Sequence, residues 1–305
     1  MTSLKKILVG FDFSERANQA LQRARELAKT WGAGIKVLHV IQELPYEGAS
    51  QQAGLVDMMG RLEKEVSEEL EKRVQEIVRD EVEVDIQVQT GVPNRELLLS
   101  AQEDEVDLIL LGSRGDSDDE ERDIGRNCEA ILHHSMVPVW VEEGSRHPSL
   151  GTILIPTDLS EHSRGALLES LEWARKFNAK ILILHAVEAP FVPSFSMINP
   201  NEYEETLAKL GKGQFEEFVA NLPAEGIEVE TIFTIGDPAG ETESYAKEKD
   251  VDLIALSTHG KTGLASKLLG SVAIKILRRS PCPVLVARPP SLDFSWLKKA
   301  FQQNS

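Results

Sequence analysis

Cysteine is nearly missing from this chain: Cys128 and Cys282 are the only two in 305 residues, about one per half. That leaves no disulfide framework and no cluster of thiolate ligands for zinc, and it fits a reducing compartment. Basic charge is also short, with 33 lysines and arginines against 50 aspartates and glutamates and a formal net charge of -17. Phosphate backbones attract basic faces, so nucleic acid is not expected as a partner. A long apolar run is lacking too. Met1-Thr2-Ser3-Leu4-Lys5-Lys6 leads straight into the short Ile7-Leu8-Val9, without the stretch that a signal peptide or a membrane span needs. The expectation is a soluble, cytoplasmic protein with no membrane partner.

What is present is a repeat. At an offset of 145 to 146 residues, Ile7-Leu8-Val9-Gly10-Phe11-Asp12-Phe13-Ser14 lines up with Ile153-Leu154-Ile155-Pro156-Thr157-Asp158-Leu159-Ser160. His39 answers His185, and Gly91-Val92-Pro93 answers Gly236-Asp237-Pro238. Val106-Asp107-Leu108-Ile109 matches Val251-Asp252-Leu253-Ile254, and Val137-Pro138-Val139 matches Cys282-Pro283-Val284. A period this long is a duplicated domain, since solenoid units run to about 20 to 50 residues. With 41% hydrophobic content each half can hold its own core. The predicted domains are 1–145 and 150–290, joined near 144–150, with a tail over 291–305.

Within each half, short runs of Ile, Leu and Val alternate with longer helical patterns, which specifies an α/β class with a parallel sheet and crossover helices. In the second half the strands are predicted near 151–157, 180–187, 227–234, 251–257 and 282–287, and the helices near 161–177, 200–221, 238–249 and 268–279. Ser14 and Ser160 are placed to cap the helices that follow them. In open sheets of this kind ligands settle beyond the carboxyl ends of the strands, where strand order reverses, so the first and fourth strands should flank a crevice.

The loop after the fourth strand of the second half reads Ser257-Thr258-His259-Gly260-Lys261-Thr262-Gly263, with Gly270-Ser271 further on. It nearly fits the phosphate-binding pattern G-x-x-x-x-G-K-[ST], but Ala255 stands where the first glycine belongs and lies inside the predicted strand. Gly260 and Gly270 can expose backbone N–H groups, Gly270-Ser271 lies where a helix N-terminus favours an anion, and Lys261 adds positive charge. A plainer reading has Gly260 turning the chain and Ser271 capping a helix. The loop alone does not decide between them.

Its context resembles the universal stress protein family, whose pattern G-x2-G-x9-G-[ST] appears here as Ser257-x2-Gly260-x9-Gly270-Ser271. Val272-Ala273 follow, Pro281-Cys282-Pro283-Val284-Leu285-Val286 closes the domain, and Pro156-Thr157-Asp158-Leu159-Ser160 and Leu184-His185-Ala186 belong to the same resemblance. It covers nearly the whole chain as two tandem copies and implies two five-stranded, parallel, doubly wound (Rossmann-like, adenine nucleotide alpha hydrolase-like) domains. It also implies an adenine nucleotide, ATP with Mg2+, with Asp158 beside Pro156 and Thr157, and Ala186, taking adenine or ribose. Gly260, Gly270 and Ser271 would take the triphosphate, Val272 and Ala273 would contribute at the helix start, and Leu256 would line the pocket. Ser257 replaces the first glycine of the pattern. The alternative for Asp158 is an Asx-type contact that ends the strand.

The first half keeps the spacing, as Gly112-Ser113-Arg114-Gly115 and Gly125, but not the chemistry. Residues 116–123 bring six acids against one base to where phosphates would approach, Arg126 replaces the serine, and bulky Phe11 replaces Thr157. A lost or changed ligand is expected there. Arg114, Arg122 and Arg126 leave open another anion, and the acidic run does not follow the alternating ligands of a calcium loop.

The family's last strands pair across a dimer. Here Val137-Pro138-Val139-Trp140-Val141 and Val284-Leu285-Val286-Ala287 are expected at sheet edges, where they can pair within one chain as a pseudo-dimer, with a further homodimer as the alternative. His39 and His185 read as strand-end packing residues, both cysteines as buried, and Phe294, Leu297 and Phe301 as a tail helix face that docks on its own chain. The expected function is a stress-response protein that binds ATP in its second domain as a nucleotide-dependent regulatory module. The rivals are an interaction module that binds no nucleotide, and a slow ATP hydrolase.

Overall fold

The structure, a computed structural model, describes residues 4–42, 53–115, 124–144, 150–188, 199–257 and 269–288. The first domain runs β1 (Lys6–Gly10), α1 (Glu15–Trp31), β2 (Gly34–Gln42), α2 (Ala53–Val78), β3 (Val84–Gly91), α3 (Pro93–Glu103), β4 (Leu108–Gly112), α4 (Arg126–His134) and β5 (Val139–Glu142). The second repeats the plan with β6 (Thr152–Pro156), α5 (Glu161–Phe177), β7 (Lys180–Val187), α6 (Pro200–Ala220), β8 (Val229–Ile235), α7 (Pro238–Glu248), β9 (Leu253–Ser257), α8 (Ser271–Arg279) and β10 (Val284–Ala287). The predicted elements of the second half recur with ends moved by three residues or fewer, the ordinary fraying of terminal turns.

Local chemistry repeats with the plan. Ser14 and Ser160 both take an extended conformation and accept from the N–H of Ala17 and Ser163, capping α1 and α5. Each helix ends on a left-handed residue, Gly32 at φ 70° and Asn178 at φ 52°. Asp107 Oδ2 accepts from the backbone N–H of Lys5 and Lys6 at 2.7 and 2.9 Å, and Asp252 Oδ2 does the same for Gly151 and Thr152 at 2.8 and 2.9 Å. The repeated aspartate therefore ties the start of each first strand to the turn before each fourth strand.

The strands form one sheet of ten, in the order β3-β2-β1-β4-β5-β10-β9-β6-β7-β8. Pairing is parallel inside each domain, and β5 meets β10 antiparallel with Val284 opposite Val141 and Val286 opposite Val139. The two closing strands are thus edges of their own domains but lie at the centre of the joined sheet, whose outer strands are β3 and β8. Strands buried on both faces explain the unbroken Ile, Leu and Val runs of the sequence.

One core lies on each face, and each contains residues of both domains. On the α1 and α5 side, Trp173 lies 5.7 Å from Trp31 and 5.8 Å from Trp140, and stacks on Phe177 at 6.0 Å, an aromatic chain across the domain junction. Beside it the fully buried Glu142 accepts from Trp140 Nε1 at 3.1 Å and faces the buried Arg23 at 3.7 Å. On the other side Cys128 and Cys282 are both buried, and burial pushes the Cys282 thiol up to about 12. Among the described residues no helix is long and apolar enough to cross a membrane.

Candidate functional site

In the second domain the strand order turns between β6 and β9, and the chain leaves the carboxyl ends of these two neighbours in opposite directions. A cavity of about 520 Å3 opens there. Its floor begins at the turn after β6. Asp158 Oδ1 accepts from Ser160 N–H at 3.0 Å, so the Asx-type contact is present, and it fixes the carboxylate at the cavity wall. The turn is braced from below: Thr157 Oγ1 lies 2.9 Å from Ser163 Oγ and accepts from Leu159 N–H at 3.0 Å. Leu159 holds a left-handed φ of 63°, which this bracing stabilises.

His185, in β7, is buried and its Nδ1 lies 2.8 Å from the Thr157 carbonyl. A carbonyl can only accept, so Nδ1 carries the proton. The ring therefore lashes β7 to the turn after β6 and presents Ala186 and Val187 along the cavity wall. His39 makes the same contact with Phe11 at 2.7 Å, so the repeated histidine is an anchor in both domains.

The opposite wall is the start of α8. Gly270 is its N-cap, with φ -62° and ψ 148°, no side chain caps it, and its first turn holds no acid. The N–H groups of the first turn lie at the positive end of the helix, where an anion is favoured. Lys275 and Arg279 of the same helix lie 3.6 and 3.8 Å from Asp237.

Ten of the twelve residues that the sequence singled out line this one cavity: Pro156, Thr157, Asp158, Ala186, Leu256, Ser257, Gly270, Ser271, Val272 and Ala273. Gly260 and Lys261 lie outside the described residues. Sequence reasoning missed the α6 side, where Leu207, Leu210, Gly211 and Gln214 complete the wall, and it missed Glu188 and the fully buried Thr242. Leu210, 64% exposed, and Val272, 37% exposed, form an apolar rim at the mouth. The signal for α6 was its apolar spacing, which marks a packed face but not what the face covers.

The first domain has a crevice in the same place, of only about 220 Å3. Where the second domain has Thr242, Ala186 and Ala273, the first has Leu97, Val40 and Cys128, all of them in the lining. Leu97 and Leu111 reach across Gly10, leaving 3.1 and 2.7 Å to the place a Cβ would take. The polar brace is replaced by rings: Phe11 meets Phe13 edge-on at 5.4 Å, and Phe13 lies 4.9 Å from His39. Arg114 lines this crevice and lies 3.8 Å from Glu143, which Arg16 also contacts at 3.2 Å. The acidic run 116–123 and the tail 291–305 lie outside the described residues.

Comparison with known proteins agrees with the repeat. The profile of the Universal stress protein family matches residues 3–141 and again 150–288. A universal stress protein of Methanocaldococcus jannaschii is 36% identical over 150 residues, covering 46% of this chain and 84% of that one. One from Synechocystis is 23% identical over 308 residues, covering 93% of this chain and all of its own, 100%. The crystal structure of a universal stress protein from Archaeoglobus fulgidus superposes with a TM-score of 0.68 at 22% identity, covering 95% of this chain and 98% of that one, a likeness of fold. With two matched copies spanning most of its length, the chain belongs to the universal stress protein family as a tandem of two Rossmann-like domains.

Proposed function

We propose that the second domain binds ATP with Mg2+ in the crevice between β6 and β9, and that occupancy alters domain packing or the binding of a partner. The observation that carries this reading is the convergence of an uncapped, acid-free helix N-terminus and the Asp158 carboxylate on one cavity of about 520 Å3, inside the usual range for small-molecule sites. Asp158 would accept from the ribose hydroxyls. The apolar wall of Val187, Leu207 and Leu256 would hold the base, and the N–H groups at Ser271, Val272 and Ala273 would meet phosphate oxygens.

Among the described residues no group of three or more histidine, cysteine, aspartate or glutamate side chains could hold a metal. Magnesium carried on phosphates needs none, because it keeps several waters and takes one or two further oxygens. The Ser271 hydroxyl is an oxygen donor of that kind in the cavity wall. Bound there, the ion would neutralise phosphate charge.

Binding that regulates packing or a partner is the reading we take, with a slow ATP hydrolase as its rival. The paired β5 and β10 make the chain a pseudo-dimer in this account, which leaves the small first crevice free to diverge.

Thermal unfolding of nucleotide-stripped protein tests the assignment. The midpoint should rise with magnesium ATP concentration, because a ligand that binds only the folded state stabilises it by mass action. Asp158→Ala should remove the rise. An unchanged midpoint at millimolar nucleotide would sink the reading in favour of an interaction module. A rise that survives Asp158→Ala would move the ribose contact elsewhere.

A further inference from the structure

The pairing of β5 with β10 brings α4 of the first domain against the approach to α8 of the second. Three contacts tie α4 to the second domain. The backbone N–H of Leu269, the residue before the N-cap Gly270, donates to His133 Nδ1 at 3.2 Å. Arg278 of α8 lies 3.6 Å from Glu129 of α4. Arg288, just past β10, donates to the Leu132 carbonyl. Leu269 is 5% exposed and packs in the core shared by the two domains.

A backbone N–H can only donate, so Nδ1 of His133 is bare and its ring proton sits on Nε2. The contact runs one way. At the offset of 145 residues His133 is answered by Arg278, whose guanidinium turns to Glu129. The histidine of the first domain therefore holds the residue just before the start of α8 in the second.

We propose that His133 is a positioning residue for the second-domain site, holding Leu269 so that the first turn of α8 presents its N–H groups to the anion. The proposal rests on the nucleotide reading of that crevice. Its physical basis is preorganisation: a helix start already held in place need not be ordered by the ligand. The first domain, with its own crevice narrowed, thus acts as part of the other domain's binding site.

The test uses the full chain with magnesium ATP and compares wild type, His133→Leu and His133→Asn. Leucine keeps the bulk without an acceptor, whereas the asparagine amide oxygen can accept close to the place of Nδ1. His133→Leu should bind about tenfold more weakly, His133→Asn near wild type, a coupling of ordinary size for two linked elements. Hydrogen exchange at the Leu269 amide in nucleotide-free protein should be faster in His133→Leu and restored by His133→Asn. Should His133→Leu fail to fold, His133→Ala takes its place with the same expectation. Wild-type affinity in the truncated variant, or equal loss in the asparagine variant, would overturn the proposal. If the wild type binds no nucleotide, the nucleotide reading falls, and the exchange data still decide: unchanged protection of Leu269 overturns the anchor, and loss restored by asparagine upholds it.

Discussion

The two crevices share a backbone plan and differ in what fills it. Both domains place an aspartate after the first strand, a capping serine two residues later, and a histidine that ties the second strand to that turn. Those contacts hold the turn and occur whether or not the cavity is roomy, so they are not evidence for a ligand. The difference lies in a few side chains: Leu97 for Thr242, Val40 for Ala186 and Cys128 for Ala273 leave the first cavity at about 220 Å3 against about 520 Å3. A duplicated fold can keep its scaffold while a handful of apolar substitutions accompanies a narrower crevice in one copy.

The largest effect that sharpens this contrast comes from a carboxylate at the anion end. Gly270 has an extended N-cap geometry that aspartate also adopts, so Gly270→Asp should cap α8 and raise stability by only a few tenths of a kcal/mol while weakening magnesium ATP binding by about 100-fold or more. Gly125→Asp, at the same place in the first domain, should leave affinity unchanged. Equal losses from both, measured by titration, would break the comparison.

Converting the second crevice toward the first should act more mildly. Thr242→Leu with Ala273→Cys narrows the cavity and should weaken binding by about tenfold, equivalent to ~1.4 kcal/mol. The reverse pair in the first domain, Leu97→Thr with Cys128→Ala, should enlarge that crevice without creating tight nucleotide binding, because the acidic run at 116–123 remains. A second strong site in this variant would show that volume alone closed the first one.

The opposite ends of the sheet differ in charge. In the first domain Asp104 bonds to Lys36 and Lys6, and the hydrogen bond from Lys36 holds its carboxyl below the usual carboxylate range. In the second, Lys249 stands at that offset and pairs with Glu230. A depressed folded-state pKa contributes stability that is present above the unfolded value and lost as pH falls through the folded one. Asp104→Asn should therefore lower the unfolding midpoint by about one to two degrees at pH 7, about 1 kcal/mol or less for a partly exposed pair, and the gap should close in acid once the pH falls below the usual carboxylate range and the carboxyl is protonated. A gap that persists at low pH would assign the effect to packing.

The smallest effect concerns the thiols. With Cys282 buried and its thiol pushed up to about 12, a thiol reagent at neutral pH should leave it unmodified until the protein unfolds. Rapid labelling of native protein would show that this part of the core opens.

Much of this was legible before the fold. The repeated Val-Asp-Leu-Ile segments, the capping serines and the glycine spacing identify elements because their causes are local: strand burial, a free helix N–H, a turn. Asp158 and Gly270-Ser271 converge as expected for the same reason, each lying at the end of an element whose direction the α/β plan dictates. What stayed hidden depends on packing between elements distant in sequence. Leu207, Leu210 and Gln214 reach the cavity because α6 packs on β7 and β8. Leu97 over Gly10 is a contact between α3 and β1, and His133 on Leu269 joins two domains. No spacing in the chain announces either contact.

The inequality of the two crevices is tested most directly by calorimetric titration of nucleotide-stripped, full-length protein with magnesium ATP, read for stoichiometry. The account predicts one site per chain, lost in Gly270→Asp and kept in Gly125→Asp. Two equivalent sites per chain, or one site lost only in Gly125→Asp, would contradict it.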